Sequence, residues 1–247
     1  MTESRLLLIT GVSSGFGRAL AQQALLAGHR VVGTVRSETA RQDFEALAPG
    51  RAFGRLLDVT DAAAIDALVT TVEADIGAID VLVNNAGVSS AQPVLDATVE
   101  DYDHIMNANL RGAFLVATEV ARGMRDRGEG GAIVNIASIL GLAQGGQLAV
   151  YAMSKAGVVQ MTKQMALELA RYGIRVNALA PGYFATDMNR DFLSSTLGDA
   201  MAKRIPQRRF GNFEDLDGPL MLLCSDASRY MTGVVIPVDG GHLLGGL

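Results

Sequence analysis

The sequence predicts an α/β protein: one doubly wound, seven-stranded parallel sheet with helices on both faces. Three observations carry that prediction. Short runs rich in Val, Ile and Leu alternate with stretches of helical period, which implies right-handed βαβ units and therefore a parallel sheet. The runs are apolar almost throughout, as strands covered on both faces are. The first run passes directly into a glycine-rich turn and then a helix, the order that a phosphate-binding loop requires. The 247 residues suit a single domain, 1–247, because α/β units of ~200–250 residues are common; no repeat, low-complexity segment or linker divides them.

The elements follow in order. Arg5 to Thr10 is the first strand, ending at Gly11, and Arg18 to Leu26 has helical spacing closed by Gly28. Arg30 to Val35 reads as the second strand, Thr39 to Leu47 as a helix, and Ala52 to Val59 as a third strand closed by Asp58. Ala62 to Ile76 is helical, and Ile79 to Val83 is a fourth strand leading into Asn84-Asn85-Ala86-Gly87. Val99 to Arg125 is long and amphipathic. Ile133, Val134, Ile136 and Ala137 form a buried fifth strand before Ser138, and a well-buried helix follows Tyr151. Ile174 to Ala178 and Gly233 to Val238 complete the seven. Pro181 to Asp217 breaks the alternation: it is polar and irregular and carries Lys203, Arg204, Arg208 and Arg209. A long insertion in a compact domain is usually functional. Residues 183–217 are expected to form a substrate lid after the sixth strand, with one or two short helices.

Composition excludes several classes. Lys plus Arg number 21 against 26 Asp plus Glu, a net charge of −5 with no basic block, which argues against a nucleic-acid partner. The single cysteine, Cys224, cannot form an internal disulfide and reads as a small buried residue on a helix. The N-terminal apolar run is too short for a signal peptide or a membrane span, so a soluble, cytoplasmic protein with no membrane partner is expected. His29, His104 and His242 are isolated, and no metal site is expected.

The chemistry concentrates between Ser138 and Lys155. Tyr151 and Lys155 stand four apart, one above the other on a helix face. A phenol ionises near pH ~10, and an adjacent cation lowers that value, so the pair can transfer a proton. Ser138, at the end of the preceding strand, can hydrogen-bond the same oxygen that Tyr151 addresses. In Thr10-Gly11-Val12-Ser13-Ser14-Gly15-Phe16-Gly17, the first glycine permits a tight turn and the second lets the backbone approach a pyrophosphate. The third allows close packing of helix on strand, and the helix aims its amides at the phosphates. After the second strand, a carboxylate would bind the ribose hydroxyls of NAD; here stand Arg36 and Ser37, which favours NADP(H). A solvated loop arginine is the alternative reading of Arg36.

With these residues placed, the chain resembles the short-chain dehydrogenase/reductase family from Leu6 to Gly241, and within it the bacterial 3-oxoacyl-carrier-protein reductase and related ketoreductase branch. The motifs are Thr10-Gly11-(x)3-Gly15-x-Gly17, Asp58, Asn84-Asn85-Ala86-Gly87, Asn109, Ser138, Tyr151-(x)3-Lys155 and Pro181-Gly182. The resemblance implies a Rossmann-type fold in which Tyr151 is the general acid of reduction and the general base of oxidation. It implies that Ser138 polarises the carbonyl and that Lys155 holds the nicotinamide ribose and lowers the pKa of Tyr151. Asn109 would kink its helix and hold a water that relays protons to Lys155. Ser13, Ser14 and Phe16 would join the glycines at the cofactor, Asp58 and Val59 would contact adenine, and Asn84, Asn85, Ala86 and Gly87 would border its ribose. Pro181, Gly182, Phe184 and Thr186 would position the carboxamide. The family also implies a homotetramer formed through the helices near 99–125 and 150–172.

Two departures stand out. Glu129 and Tyr172 occupy positions where the carrier-protein reductases carry bases for an acidic partner, although Arg125, Arg127 and Arg171 lie nearby. Ser14 stands where NADP-preferring members often place a base, so NAD(H) stays possible. Leu140, Gln144, Gln147, Val150 and Tyr183 outline a mostly apolar pocket suited to a medium-sized, fairly hydrophobic carbonyl compound. The expected activity is NADP(H)-dependent reduction of a ketone to a secondary alcohol. The alternatives are NAD-dependent oxidation of a sugar, steroid or hydroxy acid, and a non-catalytic nucleotide-binding regulator.

Overall fold

In the computed structural model, which describes residues 4–185 and 195–245, seven strands form. They are β1 (Leu6–Ile9), β2 (Arg30–Val35), β3 (Ala52–Leu56), β4 (Val81–Asn84), β5 (Gly131–Ile136), β6 (Ile174–Pro181) and β7 (Val235–Val238). All pair in parallel in the order β3-β2-β1-β4-β5-β6-β7. The order reverses between β1 and β4, which opens a crevice at the C-terminal ends of those strands, the place where sheets of this kind bind ligands.

Helices cover both faces: α1 (Gly15–Leu26), α2 (Glu38–Glu45), α3 (Ala62–Asp75), α4 (Val99–Met106), α5 (Ala113–Arg127), α6 (Ala149–Leu169), α7 (Thr196–Ala202) and α8 (Asp217–Cys224). Successive strand residues point to opposite faces, and the core follows that period. Leu7 and Ile9 pack with Leu20, Ala24, Phe44, Leu220 and Cys224 on one side. Leu6 and Leu8 pack with Ile65, Val72, Val116, Val120 and Met124 on the other. Because both faces are buried, the runs have no polar alternation. Burial pushes the Cys224 thiol up to about 12, so it is an inert core residue.

The N-terminal edge of the sheet is tied down by arginines. Arg5 donates to Cys224 O, Arg30 to Ile76 O, Arg51 to Leu25 O, and Arg175 to Leu223 O and Ser225 O. Each guanidinium satisfies carbonyls at or just beyond the end of a helix, where the helix dipole favours a cation.

Several sequence expectations need correction. The third strand stops at Leu56, so Asp58 lies in the loop beyond it, and β6 runs on to Pro181. The fourth strand begins at Val81, and the seventh at Val235. The stretch 99–125 is not one regular helix: residues Asn107–Gly112 form a π-helical segment between α4 and α5. Its cause is tertiary. Asn109 turns its amide away from the helix, accepting from Val88 N at 2.7 Å and donating to Val88 O at 2.9 Å and Ser154 Oγ at 3.0 Å. In the expected lid, the described part holds α7, a 3-10 turn at Phe213–Leu216 and a bridge between Phe184 and Gly211.

Candidate active site

The loops after β1 and β4 frame the crevice. Thr10 ties them together: its hydroxyl accepts from Asn85 N and Ala86 N, both at 3.0 Å, while Asn85 Nδ2 donates to Thr10 O and Gly11 O. Gly11 and Gly15 have φ of +73° and +58°, the left-handed region that favours glycine. A Cβ on Gly17 would fall 2.1 Å from Gly11 O, so only glycine lets α1 pack this close. A Cβ on Gly15 would meet nothing within 4 Å, which leaves its backbone open to an approaching ligand.

Helix caps mark the same place. Ser37, Asp61, Thr98 and Ser195 cap α2, α3, α4 and α7 with their side chains. Ser14 makes no such bond at α1, nor does Leu148 at α6, and neither helix has an acid in its first turn. Uncapped amides at the start of a helix are ready to bind an anion. The fold therefore leaves open the two helix starts that carry predicted site residues.

At the end of β5, Ser138 is buried, and its hydroxyl accepts from Leu140 N at 3.1 Å. Its proton is free to point toward the Tyr151 hydroxyl, on which Ser138 acts. Lys155, only 5% exposed, donates from Nζ to Ile136 O at 2.8 Å and lies 5.8 Å from the Tyr151 ring centroid. A Cβ on Gly87 would lie 2.9 Å from Asn109 Oδ1 and 3.7 Å from Lys155 Nζ, so these groups converge on one stretch of crevice wall. All four predicted catalytic residues are thus brought together.

The electrostatics differ from the sequence expectation. Burial pushes the Tyr151 hydroxyl above its ordinary value; Ser138 works against that rise, and Tyr183 adds to it. Burial also lowers Lys155, to about 8. The net direction at Tyr151 is therefore upward, where the resemblance implies a fall.

Other predicted residues divide by surroundings. Ser13 and Ser14 are exposed beside the glycine turn, as are Arg36 and Ser37 after β2. Asp58 is held below the usual carboxylate value by the Thr60 backbone and hydroxyl, with Arg36 contributing, and Val59 follows it, partly buried. Pro181 is buried and Gly182 partly so. Phe184 is buried against Phe16, edge to face at 5.2 Å, and Phe16 meets Phe213 at 5.7 Å. Its ring thus locks the strand end to α1. Thr186 lies outside the described residues. Leu140 and Val150 are buried wall, while Gln144 and Gln147 are exposed.

Some features of the site carry no signal in the local residue pattern. Gln147 sits at φ +62°, rare without a glycine, and its carbonyl accepts from Gln92 N at 2.7 Å, joining the loops after β4 and β5. Asn84 faces inward to Asn135, which reaches Thr162, so it belongs to a buried network and not to the crevice. Glu129 lines a cavity of 980 Å³ at the opposite edge of the sheet with Arg127, Arg175 and Arg229. Arg125 and Arg127 are paired with Asp126 and Glu73, and Arg171 stacks on Tyr172.

A doubly wound sheet with a glycine turn under an open helix end, beside a Ser-Tyr-Lys cluster, defines a nucleotide-dependent oxidoreductase of the carbonyl–alcohol kind. Comparison with known proteins agrees. A family model described as enoyl-(acyl carrier protein) reductase matches residues 11–242. The 3-oxoacyl-[acyl-carrier-protein] reductase MabA of Mycobacterium tuberculosis is 39% identical over 242 residues, covering 98% of this chain and 94% of that one. The 2-dehydro-3-deoxy-D-gluconate 5-dehydrogenase of Escherichia coli is 37% identical, covering 98% and 96%. A gluconate 5-dehydrogenase from Burkholderia cenocepacia, solved with NADP and tartrate, superposes with a TM-score of 0.93 at 37% identity, covering 98% and 96%. The chain belongs to the short-chain dehydrogenase/reductase family. It is an enzyme of that NAD(P)-dependent oxidoreductase class, interconverting carbonyls and alcohols.

Proposed function

We propose that the protein reduces a ketone to a secondary alcohol with NADPH, Tyr151 donating the proton. The observation that carries this reading is the convergence of Asn109 and buried Lys155 on Gly87 at the crevice, with Ser138 acting on the Tyr151 hydroxyl. The dinucleotide supplies the hydride when bound. Gly11, Ser13, Ser14, Gly15, Phe16 and Gly17 would hold its pyrophosphate at the uncapped start of α1, Asn85, Ala86 and Gly87 would border its adenosine ribose, and Lys155 would hold its nicotinamide ribose. Ser138 would hold and polarise the substrate oxygen, and Tyr151 would protonate it. The raised Tyr151 pKa keeps the phenol protonated, which suits a proton donor in the reductive direction. Lys155, lowered to about 8, can exchange a proton near neutral pH and would reload Tyr151, drawing in turn on a water held at Asn109.

Arg36 supports NADPH over NADH. It is exposed at the end of β2, and no hydrogen bond or ion pair engages its side chain among the described residues. A 2′-phosphate placed there would meet a free guanidinium. Buried Leu140 and Val150, beside the predicted site, support a substrate with an apolar part. We also infer a cytosolic homotetramer. Its support is a 500 Å³ apolar groove along α4, α5 and α6, lined by Met106, Leu110, Phe114, Met161 and Met165. No helix of the described residues is long and apolar enough to cross a membrane.

The test is the initial rate of NADPH and NADH oxidation with simple ketones, a β-ketoester and a carrier-protein-linked β-ketoacyl chain. Faster NADPH use on free ketones is expected, and Arg36→Ala should reduce NADPH efficiency by about tenfold relative to NADH. Preference for NADH would refute the cofactor reading, and turnover only of the carrier-linked chain would refute a free ketone as the substrate.

A further inference from the structure

Next to the Ser138–Tyr151 pair lies a cluster that the reaction does not explain. Tyr183, just past β6, stacks its ring 5.5 Å from that of His242. His242 is only 3% exposed, and its Nδ1 is sealed from solvent with no hydrogen-bond partner. The segment 203–207 is fastened over this pair. Ile205 is fully buried, Gln207 N donates to Gly240 O at 3.1 Å, and Pro206 abuts Gly241.

That fastening holds Arg204 in place. Its neighbour Arg209 is neutralised by Asp215 through two hydrogen bonds of 2.6 and 3.0 Å, but no acid pairs with Arg204 among the described residues. Its side chain is exposed, and its charge acts on both the Tyr183 hydroxyl and the His242 ring. Tyr183 in turn acts on Tyr151. Asp239 also acts on His242, but its two carboxylate oxygens accept from Gly241 N and Leu243 N, both at 2.9 Å. What remains is a positive charge, on a segment packed against residues 240–245, within electrostatic reach of a half-buried phenol that stacks on a buried ring. A guanidinium and a hydroxyl that can reach the same ligand suit a carboxylate.

We propose that Arg204 and Tyr183, backed by His242, form an anion subsite beside the catalytic centre, and that the substrate is a keto acid: a carbonyl compound carrying a carboxylate. The proposal rests on the ketoreductase reading above and narrows its substrate class. Leu140 and Val150 would take the hydrocarbon between the two functional groups. His242 is a positioning residue here, holding Tyr183 at the angle that serves the carboxylate.

The experiment compares kcat/KM for a γ-keto acid and its methyl ester, in the wild type and in Arg204→Gln. The acid should exceed the ester in the wild type, and the acid-to-ester ratio should fall by about ten- to a hundredfold in the variant, mostly through KM. Arg204→Lys should recover part of that ratio. A ratio that Arg204→Gln leaves unchanged overturns the subsite, while turnover of both compounds leaves the ketoreductase reading standing. Calorimetric titration with hexanoate separates the other case. Hexanoate binding that is lost in Arg204→Gln supports the subsite even if no ketone is turned over, an outcome that would sink the ketoreductase reading alone.

Discussion

At the edge where the strands begin, Arg5, Arg30, Arg51 and Arg175 satisfy carbonyls at the ends of α8, α3 and α1. At the edge where the strands finish, α1 and α6 start with no side-chain cap, and Ser138, Tyr151 and Lys155 gather beside them. The same strands produce both edges, because a right-handed βαβ unit puts helix C-termini at one end of the sheet and N-termini at the other. One edge has its polar groups saturated by protein; the other keeps donors available for a ligand. The contrast teaches that stability and chemistry are assigned here to opposite ends of one scaffold, so substitutions at the two ends should fail differently.

The largest effect should come from the open edge. Tyr151→Phe is expected to lower kcat about a thousandfold, the size of a lost general acid, while fluorescence titration still detects dinucleotide binding and the melting temperature holds. Activity near wild type would remove Tyr151 from the proton transfer.

Lys155 sharpens the contrast, because its burial costs stability for the sake of the site. Its folded pKa, about 8, lies below its ordinary 10.5, so the unfolded chain binds the proton more tightly. The sign follows: the cost is full below pH 8 and fades as the pH rises toward 10.5. Measured by urea unfolding across that range, wild type should gain about 3 kcal/mol relative to Lys155→Met. Parallel pH profiles for the two proteins would show that Lys155 is not desolvated in the folded state.

The smallest effect belongs to the closed edge. Arg175→Met removes donors to Leu223 O, Ser225 O and Ser228 Oγ and should cost about 2 kcal/mol of unfolding free energy, with kcat unchanged. A loss of kcat without a loss of stability would break the division between the edges.

Much of this was legible in the chain. The apolar runs around Leu8, Val32 and Val134 announced strands because burial on both faces leaves no regular polar alternation. Gly11, Gly15 and Gly17 announced the cofactor turn because backbone conformation and close approach leave no other residue type. The spacing of Tyr151 and Lys155 announced a shared helix face. A kink at Asn109 was implied only by the family resemblance; the π-helical form and its cause were not legible, since that cause lies in Val88 and Ser154, far from Asn109 in sequence. The same holds for Phe184, which meets Phe16 and the 213 region only after the chain has folded.

The sequence by itself determined the element order, the parallel sheet and the glycine turn, because each is written in local periodicity or residue type. Only the tertiary structure decided the ionisation of Tyr151 and Lys155, the partners that bend the chain at Asn109 and the absence of an acid beside Arg204 among the described residues. Those properties depend on desolvation and on partners brought together across the fold, and a linear pattern carries neither.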